Sequence, residues 1–350
     1  MKRLSPLTVI LTGAGAPGWP DICRSLVENN ERTIDIVAVD MDRDVAGYRL
    51  VKKHAVVPAG VSPAYIPAMV CLVKKFKAHA IVPLTDPELP ALASAASLFK
   101  KMGVVLPVAR PSAIAIAADK IRTHEFLTNR HRAIPAYRIA RTSVEFSVAI
   151  AALGYPKTKV CFKPGIAHGS RGFRILDPQA TEAATLFAEK AENTRYAMTG
   201  ERAREILDNC ASFPSLLVTE YLPGKEYSVD LLVRKRSVAA VVCRERTRIR
   251  FGLTYQGRVI ADPKLERLAV DIALRIGLTF NANIQFKKDA AGTYRLLEIN
   301  PRTSGTIALC RAAGVNLPYL GLKLALGERI TAQKPVPGTR NYRYWTHVFT

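Results

Sequence analysis

Glu298, Asn300 and Arg302 alternate along the run Leu296-Leu297-Glu298-Ile299-Asn300-Pro301-Arg302. Alternate residues of an extended strand point to the same face, so all three can address one site. A carboxylate and an amide oxygen are hard ligands suited to Mg²⁺. An arginine just beyond them can grip a phosphoryl group or a carboxylate through two parallel hydrogen bonds. Upstream, Asn283 and Gln285 of Asn283-Ile284-Gln285-Phe286 also share a face. Pairing of the two runs across a turn at residues 289–292 would bring Gln285 close to Glu298. The competing reading is a solvated strand face carrying ordinary polar residues.

Three further runs carry chemistry. Lys163 ends the apolar run Val160-Cys161-Phe162-Lys163-Pro164 and precedes a glycine-rich loop, residues 165–173. Backbone N–H groups of such a flap can point at phosphates, and the lysine adds a point charge; a surface hairpin would have the same composition. The run Thr219-Glu220-Tyr221-Leu222-Pro223-Gly224-Lys225-Glu226 offers an extended hinge with backbone donors and acceptors for a base. It also offers an acid, Glu226, for a ribose; an ordinary turn reads the same way. Arg244, Arg246, Arg248 and Arg250 share one face if their strand alternates. They then either grip an acidic substrate or form a charged edge that resists aggregation.

These groups need elements to position them. Residues 1–110 alternate short apolar runs (7–11, 34–40, 55–58, 80–84, 104–107) with helix-length segments, which predicts a parallel sheet covered by helices on both faces. Gly13, Gly15 and Gly18 form a weak dinucleotide-type cluster; a tight strand-to-helix turn shaping the edge of another site is the preferred reading. Asp40, at a strand end, either holds a ribose or caps the next helix. Residues 120–145 read as helical with a break at Pro135, residues 181–191 as a helix, and residues 264–276 as a strong helix. Residues 227–233 and 238–244 read as an antiparallel pair.

Composition narrows the class. With 350 residues, two or three lobes are expected. No apolar run is long enough to span a bilayer and no signal peptide is legible, so a cytoplasmic protein with no membrane partner is expected. The six cysteines lack a CxxC pair and lie in or beside apolar stretches, as buried free thiols do. The net charge of +22 favours polyanions. It is spread along the chain without a zinc-finger spacing, RNA-recognition signature or basic tail, so nucleic acid is not the expected partner.

The motifs, in this order and spacing, resemble the ATP-grasp superfamily, most closely a single synthetase half of the carbamoyl phosphate synthase large subunit and the related carboxylate–amine (amino-acid) ligases. The resemblance implies an α/β (α+β ATP-grasp) fold: a parallel-sheet pre-ATP-grasp domain (1–110), a small lobe with the flap (111–215) and a large lobe with the Mg·ATP and substrate site (216–350). It implies ATP as co-substrate and Mg²⁺ as metal, with Mn²⁺ as an alternative occupant. Lys120 and Lys163 would contact phosphates. Gly169, Ser170, Arg171 and Gly172 would form the flap. Glu220, Tyr221 and Leu222 would hold adenine and Glu226 the ribose. Gln285, Glu298 and Asn300 would surround the metal, and Arg302 would stabilise the transferring phosphoryl group. Arg244, Arg248 and Arg250 are substrate candidates. The basic run 244–250 departs from the carbamoyl phosphate pattern, which favours a larger acid. The expected activity is ligation of a small carboxylate to an amine through an acyl phosphate; the alternatives are an acid kinase and a silent ATP-binding module. Many members of the superfamily dimerise, and no interface is legible here.

Overall fold

The computed structural model describes residues 4–166, 171–183, 196–250, 252–344 and 346–349. Strands β1 (Leu7–Leu11), β2 (Ile34–Asp40), β3 (Lys53–Val56) and β4 (Ala80–Val82) form a parallel sheet in the order β3-β2-β1-β4. β1 and β2 are near-continuous apolar runs because both faces are covered. Val9 and Leu11 pack on Trp19, Ile22 and Leu26 of the helix Trp19–Val27. Ile10, Val37 and Val39 pack on Met69 and Val73 of the helix Tyr65–Phe76. The fifth strand expected at residues 104–107 shrinks to one bridge, Val105 to Ala80. Pro107, which has no N–H to donate, follows at once.

The strand order places a switch point between β1 and β4. The chain leaves β1 in one direction, toward β2 and β3, and β4 returns on the other side. Crevices open at the carboxyl ends of parallel strands at such points. Here the glycine turn after β1 and the turn after β4 meet. Buried Glu88 fixes the second turn: its Oε1 accepts from Thr12 Oγ1 (2.6 Å), Leu84 N (3.0 Å) and Thr85 N (2.7 Å), and its Oε2 from Tyr65 OH (2.5 Å).

A second sheet contains β5 (Tyr137–Ala140), β6 (Val160–Pro164), β7 (Arg174–Leu176), β8 (Ala197–Met198) and β9 (Leu216–Glu220), ordered β5-β9-β6-β7-β8. Residues 120–145 are not one interrupted helix. A helix, Lys120–Leu127, is followed by a loop and β5, which pairs antiparallel with β9. Pro135 ends the helical option, and a partner strand across the sheet then decides for β structure at Tyr137–Ala140. The helix expected at 181–191 falls largely outside the described residues.

The third sheet is antiparallel: β10 (Glu226–Val233), β11 (Val238–Arg250), β12 (Leu253–Ile260), β13 (Phe280–Lys288), β14 (Tyr294–Asn300) and β15 (Arg340–Tyr342), in the order β14-β13-β10-β11-β12-β15. The helix Pro263–Ile276 covers one face through Leu265, Ala269, Ile272 and Ala273. On the other, Leu320 and Leu322 of the helix Leu317–Ala325 join Leu232, Val242 and the N-terminal residues Trp19 and Ile22 in one cluster. The first and third sheets therefore share a core. Among the described residues no helix is long and apolar enough to cross a membrane. Cys23, Cys161, Cys243 and Cys310 are buried free thiols as expected, whereas Cys71 and Cys210 are exposed. Cys71 sits on the open side of its helix, and Cys210 just past the helix Gly200–Asp208.

The four arginines of β11 do not stay on one face. The register with β12 shifts between Arg246 and Arg248 and again between Arg248 and Ile249, and a bulge re-aims the side chains beyond it. Arg244, 1 % exposed, is consumed by the protein. It pairs with buried Asp230, donates from Nη1 to Thr306 O (2.9 Å) and Oγ1 (2.8 Å), and donates from Nη2 to Ser228 Oγ (3.1 Å) and Ser304 Oγ (3.2 Å). It keeps no donor for a ligand, so the substrate grip expected of it is corrected to a structural role. Arg248 and Arg250 are exposed and lie over Tyr255, 6.0 and 4.7 Å from its ring centre. Arg244→Leu should therefore lower stability by about 3–5 kcal/mol by leaving the Asp230 carboxylate buried and unpaired. Arg248→Leu should change it by less than about 0.5 kcal/mol. Urea unfolding of the two variants checks this; equal midpoints would refute the assignment.

Candidate active site

The β13–β14 hairpin sets the site. Its register pairs Gln285 with Glu298 and Asn283 with Asn300, through the turn at residues 289–292. The side chains join in a chain of contacts. Asn283 Oδ1 accepts from Gln285 Nε2 (3.3 Å) and Asn300 Nδ2 (3.4 Å), and Asn300 Nδ2 also lies 3.3 Å from Glu298 Oε1. Asn283 is anchored from below by Ser228 Oγ (2.7 Å) and Asp230 Oδ1 (3.0 Å).

Two lysines converge on this hairpin from the second sheet and its neighbouring helix. Asp119 caps the helix Lys120–Leu127, accepting from Ile121 N (2.9 Å) and Arg122 N (3.3 Å), and Lys120 N donates to Gly165 O (2.9 Å). The cap and that bond hold Lys120 beside the end of β6, and its Nζ lies 4.0 Å from Glu298 Oε2. Lys163 reaches from β6 to donate to Leu297 O (2.8 Å). Burial, with Lys120 nearby, pushes the Lys163 ammonium down to about 8 against the pull of Glu298. Burial pushes the Glu298 carboxyl up, but Lys120, Lys163, Asn300 and Arg246 together hold it below the usual range. Its side chain is still 32 % exposed, opening onto a cleft. His124, behind the lysines, is pushed down to about 3 by burial and by Lys163; it is a neutral packing group that contacts Lys120 O at 2.7 Å.

Arg302 reaches across to the first sheet. Its Nε and Nη2 donate to Asp86 Oδ1 and Oδ2 at 2.8 and 2.7 Å, a two-pronged pair with the turn after β4. Nη2 also lies 3.3 Å from Asn300 Oδ1, and Nη1 donates to Thr303 O at 3.2 Å. Arg246 performs a matching role on the other side: its Nη1 donates to Gln285 Oε1 (2.7 Å) and pairs with Glu226. The cleft enclosed by these groups measures about 220 Å³ and is lined by Lys120, Gln285, Glu298, Asn300, Arg302 and Arg246, with Ser228, Ser304 and Thr306 at its polar end. Another part of its wall is the glycine turn, Ala16, Pro17 and Gly18, with Trp19, Leu84 and Leu253 adding apolar surface. A Cβ on Gly18 would sit 2.5 Å from Gly305 Cα, so only glycine lets the first domain close against the third sheet here. Asp40 stabilises the same turn, accepting from Gly15 N at 2.8 Å.

The hinge candidates form a second group. Glu220 N donates to Ala136 O (3.0 Å) and its Oε1 accepts from Ala136 N (2.9 Å). Leu222 is buried, and the Lys287 ammonium lies 5.9 Å from the Tyr221 ring centre. Glu226 links this group to the cleft through Arg246. Gly172, at positive φ, closes on Pro164 next to Lys163, and Arg171 is exposed. Gly169 and Ser170 lie outside the described residues. The sequence reading missed Asp86, Ser304 and Thr306. A signal for Asp86 exists in Thr85-Asp86-Pro87-Glu88, a capping box placed at a strand end of the parallel sheet.

The donor set near Glu298 is all oxygen: one carboxylate and the amides of Gln285 and Asn300. Among the described residues no group of three His, Cys, Asp or Glu forms a cage of its own. That suits Mg²⁺, which takes one or two carboxylates and completes its shell with water and phosphate oxygens.

Comparison with known proteins agrees with this architecture. Residues 10–107 match the family described as "PylC-like, N-terminal domain". Residues 212–348 match "ATP-grasp in the biosynthetic pathway with Ter operon". The chain is 24% identical over 284 residues to the carbamoyl phosphate synthase large chain of Thermoplasma acidophilum, an alignment that takes in 76% of this chain but spans only 25% of that protein. Its fold is similar to N5-carboxyaminoimidazole synthetase from Staphylococcus aureus complexed with ADP (TM-score 0.68, 14% identity, covering 96% of this chain and 81% of that one). It is also similar to the L-amino acid ligase from Bacillus licheniformis (TM-score 0.63, 15% identity, covering 96% and 76%). The chain is thus similar to PylC-like proteins over residues 10–107 and to an ATP-grasp family over residues 212–348, in a fold shared with the ATP-grasp structures above.

Proposed function

We propose that the protein is an ATP-dependent carboxylate–amine ligase that works through an acyl phosphate. The observation that carries this reading is the convergence on one cleft of Glu298, Gln285 and Asn300 with Lys120 at 4.0 Å and Arg302 beside them. The L-amino acid ligase and N5-carboxyaminoimidazole synthetase, which share its fold, support it.

Gln285, Glu298 and Asn300 would hold Mg²⁺, whose chemistry is to neutralise charge on the β- and γ-phosphate oxygens. Lys120 and Lys163 present point charges to the phosphate chain, and Glu220, Tyr221 and Leu222 hold the base, with Glu226 toward the ribose. A substrate carboxylate oxygen attacks the γ-phosphorus and ADP leaves. Arg302 stabilises the charge on the transferring group; with Nε and Nη2 fixed by Asp86 and one Nη1 proton donated to Thr303 O, a single Nη1 N–H remains for a ligand. An amine then attacks the acyl carbon, phosphate departs and the amide forms with loss of a proton. The acyl phosphate hydrolyses in water, so the wall formed by the glycine turn and Gly305 serves to exclude it. Ser228, Ser304, Thr306 and Arg246 line the end of the cleft available to a small polar acid.

The test is Mg²⁺-dependent ADP release across a panel of amino acids and small carboxylates with hydroxylamine present. A hydroxamate formed with one acid supports the reading, and nucleotide binding with no turnover on any acid–amine pair would count against it. Glu298→Gln should reduce ADP release at least about 100-fold with the circular dichroism spectrum unchanged; near-normal release would remove Glu298 from the metal site. The Lys163 ammonium is charged below about 8 and neutral above it. Hence kcat/KM for ATP should fall as pH rises through about 8, and Lys163→Arg, which stays charged, should lack that alkaline limb. An identical profile in both proteins would assign the limb to another group.

A further inference from the structure

The helix Pro263–Ile276 gives its apolar stripe to the core, so the opposite stripe must face outward. That stripe carries Lys264, Arg267, Asp271 and Arg275 at spacings of three and four residues. Opposite it stand Arg130 and Arg132, from the loop between the helix Lys120–Leu127 and β5. The two segments enclose a second cleft of about 380 Å³, separate from the one described above.

Its charge is unbalanced. Of the residues lining it, five are permanently cationic and one, Asp271, is acidic. Asp271 is already engaged: it accepts from Arg275 Nε at 2.6 Å and lies 3.4 Å from His131 Nε2. Among the described residues Arg130, Arg132, Lys264 and Arg267 have no carboxylate partner; Arg130 donates only to Phe126 O, at 3.2 Å. A solvated charged face would spread such residues apart. Here Arg130, Arg132, Lys264 and Arg267 are exposed but converge on one concavity from two separate segments, so their positive fields add there and attract an anion.

The floor is also held in place. Arg295 Nη1 donates to Arg132 O (2.9 Å), and Leu296 N donates to Ala133 O (2.7 Å). This pins the basic loop to β14, two residues from Glu298. We propose that this cleft is a binding site for a small, multiply charged phosphate-bearing anion. Guanidinium groups suit such a ligand because they pair bidentately with phosphate oxygens. The cations surround a pocket rather than follow a track, which favours a compact oligophosphate over a nucleic-acid strand. The assignment does not depend on the function proposed for the main cleft.

The test is calorimetric titration with inorganic pyrophosphate, without metal, of the wild-type protein, an Arg132→Ala/Arg267→Ala double variant and Lys163→Met. Melting curves confirm that each protein is folded. The wild type and Lys163→Met should bind alike. The double variant should bind at least about tenfold more weakly, the loss expected when charge-assisted hydrogen bonds are removed. Binding by the wild type should also weaken with added salt. Three results would overturn the proposal: no wild-type binding, equal binding by the double variant, or loss of binding in Lys163→Met, which would place the anion in the main cleft. Tighter binding of a single-stranded oligonucleotide through the same arginines would overturn the choice of ligand.

Discussion

One carboxylate, Glu298, holds a cluster of cations together. Lys120 stands 4.0 Å away, Lys163 is tied to the neighbouring Leu297 carbonyl, and Arg246 and Arg302 reach it through Gln285 and Asn300. At that separation and an effective dielectric near 20 the Lys120–Glu298 attraction is about 4 kcal/mol, comparable to the several kcal/mol it costs to remove each ion from water. The balance is close: burial, with Lys120 alongside, pushes the Lys163 ammonium down, while the two lysines outweigh burial at Glu298 and keep its carboxyl ionised. In the function proposed above, phosphates would take over the lysines and a cation the carboxylate, with little change in net charge.

The rest of the architecture serves that exchange by fixing where each charge stands. The hairpin register brings the side-chain oxygens of Gln285, Glu298 and Asn300 together, the Asp119 cap places Lys120, and β6 carries Lys163 in from a different sheet. The first domain adds a wall and a counter-charge. Its switch point presents a turn in which Gly18 leaves no room for a side chain, and an aspartate that takes the Nε and Nη2 edge of Arg302. Because Glu88 clamps the turn bearing Asp86, the direction of Arg302 is ultimately set by packing within a parallel sheet more than two hundred residues away in sequence.

Legibility in the sequence followed the range of the forces involved. The β13–β14 pairing could be read because strand alternation and a turn are local, and the observed register does set Gln285 opposite Glu298. The glycine turn was readable for the same reason, as a shape at the edge of another site. β5 was not: Tyr137–Ala140 has no strong period of its own and becomes a strand because β9 offers it a partner. The bulges in β11 were equally hidden. They are defined by the facing strand, and they divide four arginines that look equivalent in sequence into a buried pair and an exposed pair. Asp86 carried a capping-box signature, but nothing local says that an arginine from the third sheet will meet it.

The net charge of +22 can be resolved in the same terms. Arg244 is structural, bound to Asp230 and to three hydroxyls in the core, and contributes nothing to the outer field beyond its own ion pair. The four cations of the main site, Lys120, Lys163, Arg246 and Arg302, are met by three carboxylates, Glu298, Glu226 and Asp86, and so are nearly balanced. The unbalanced excess lies on surfaces such as the face of the helix Pro263–Ile276, where burial exerts no pressure to pair charges. Lysine or arginine at an exposed helical position costs little stability, so that excess is free to be selected for what it attracts. A uniform basic coat would draw any polyanion weakly; convergence of Arg132, Lys264 and Arg267 on one concavity concentrates the field where a single compact anion can neutralise it.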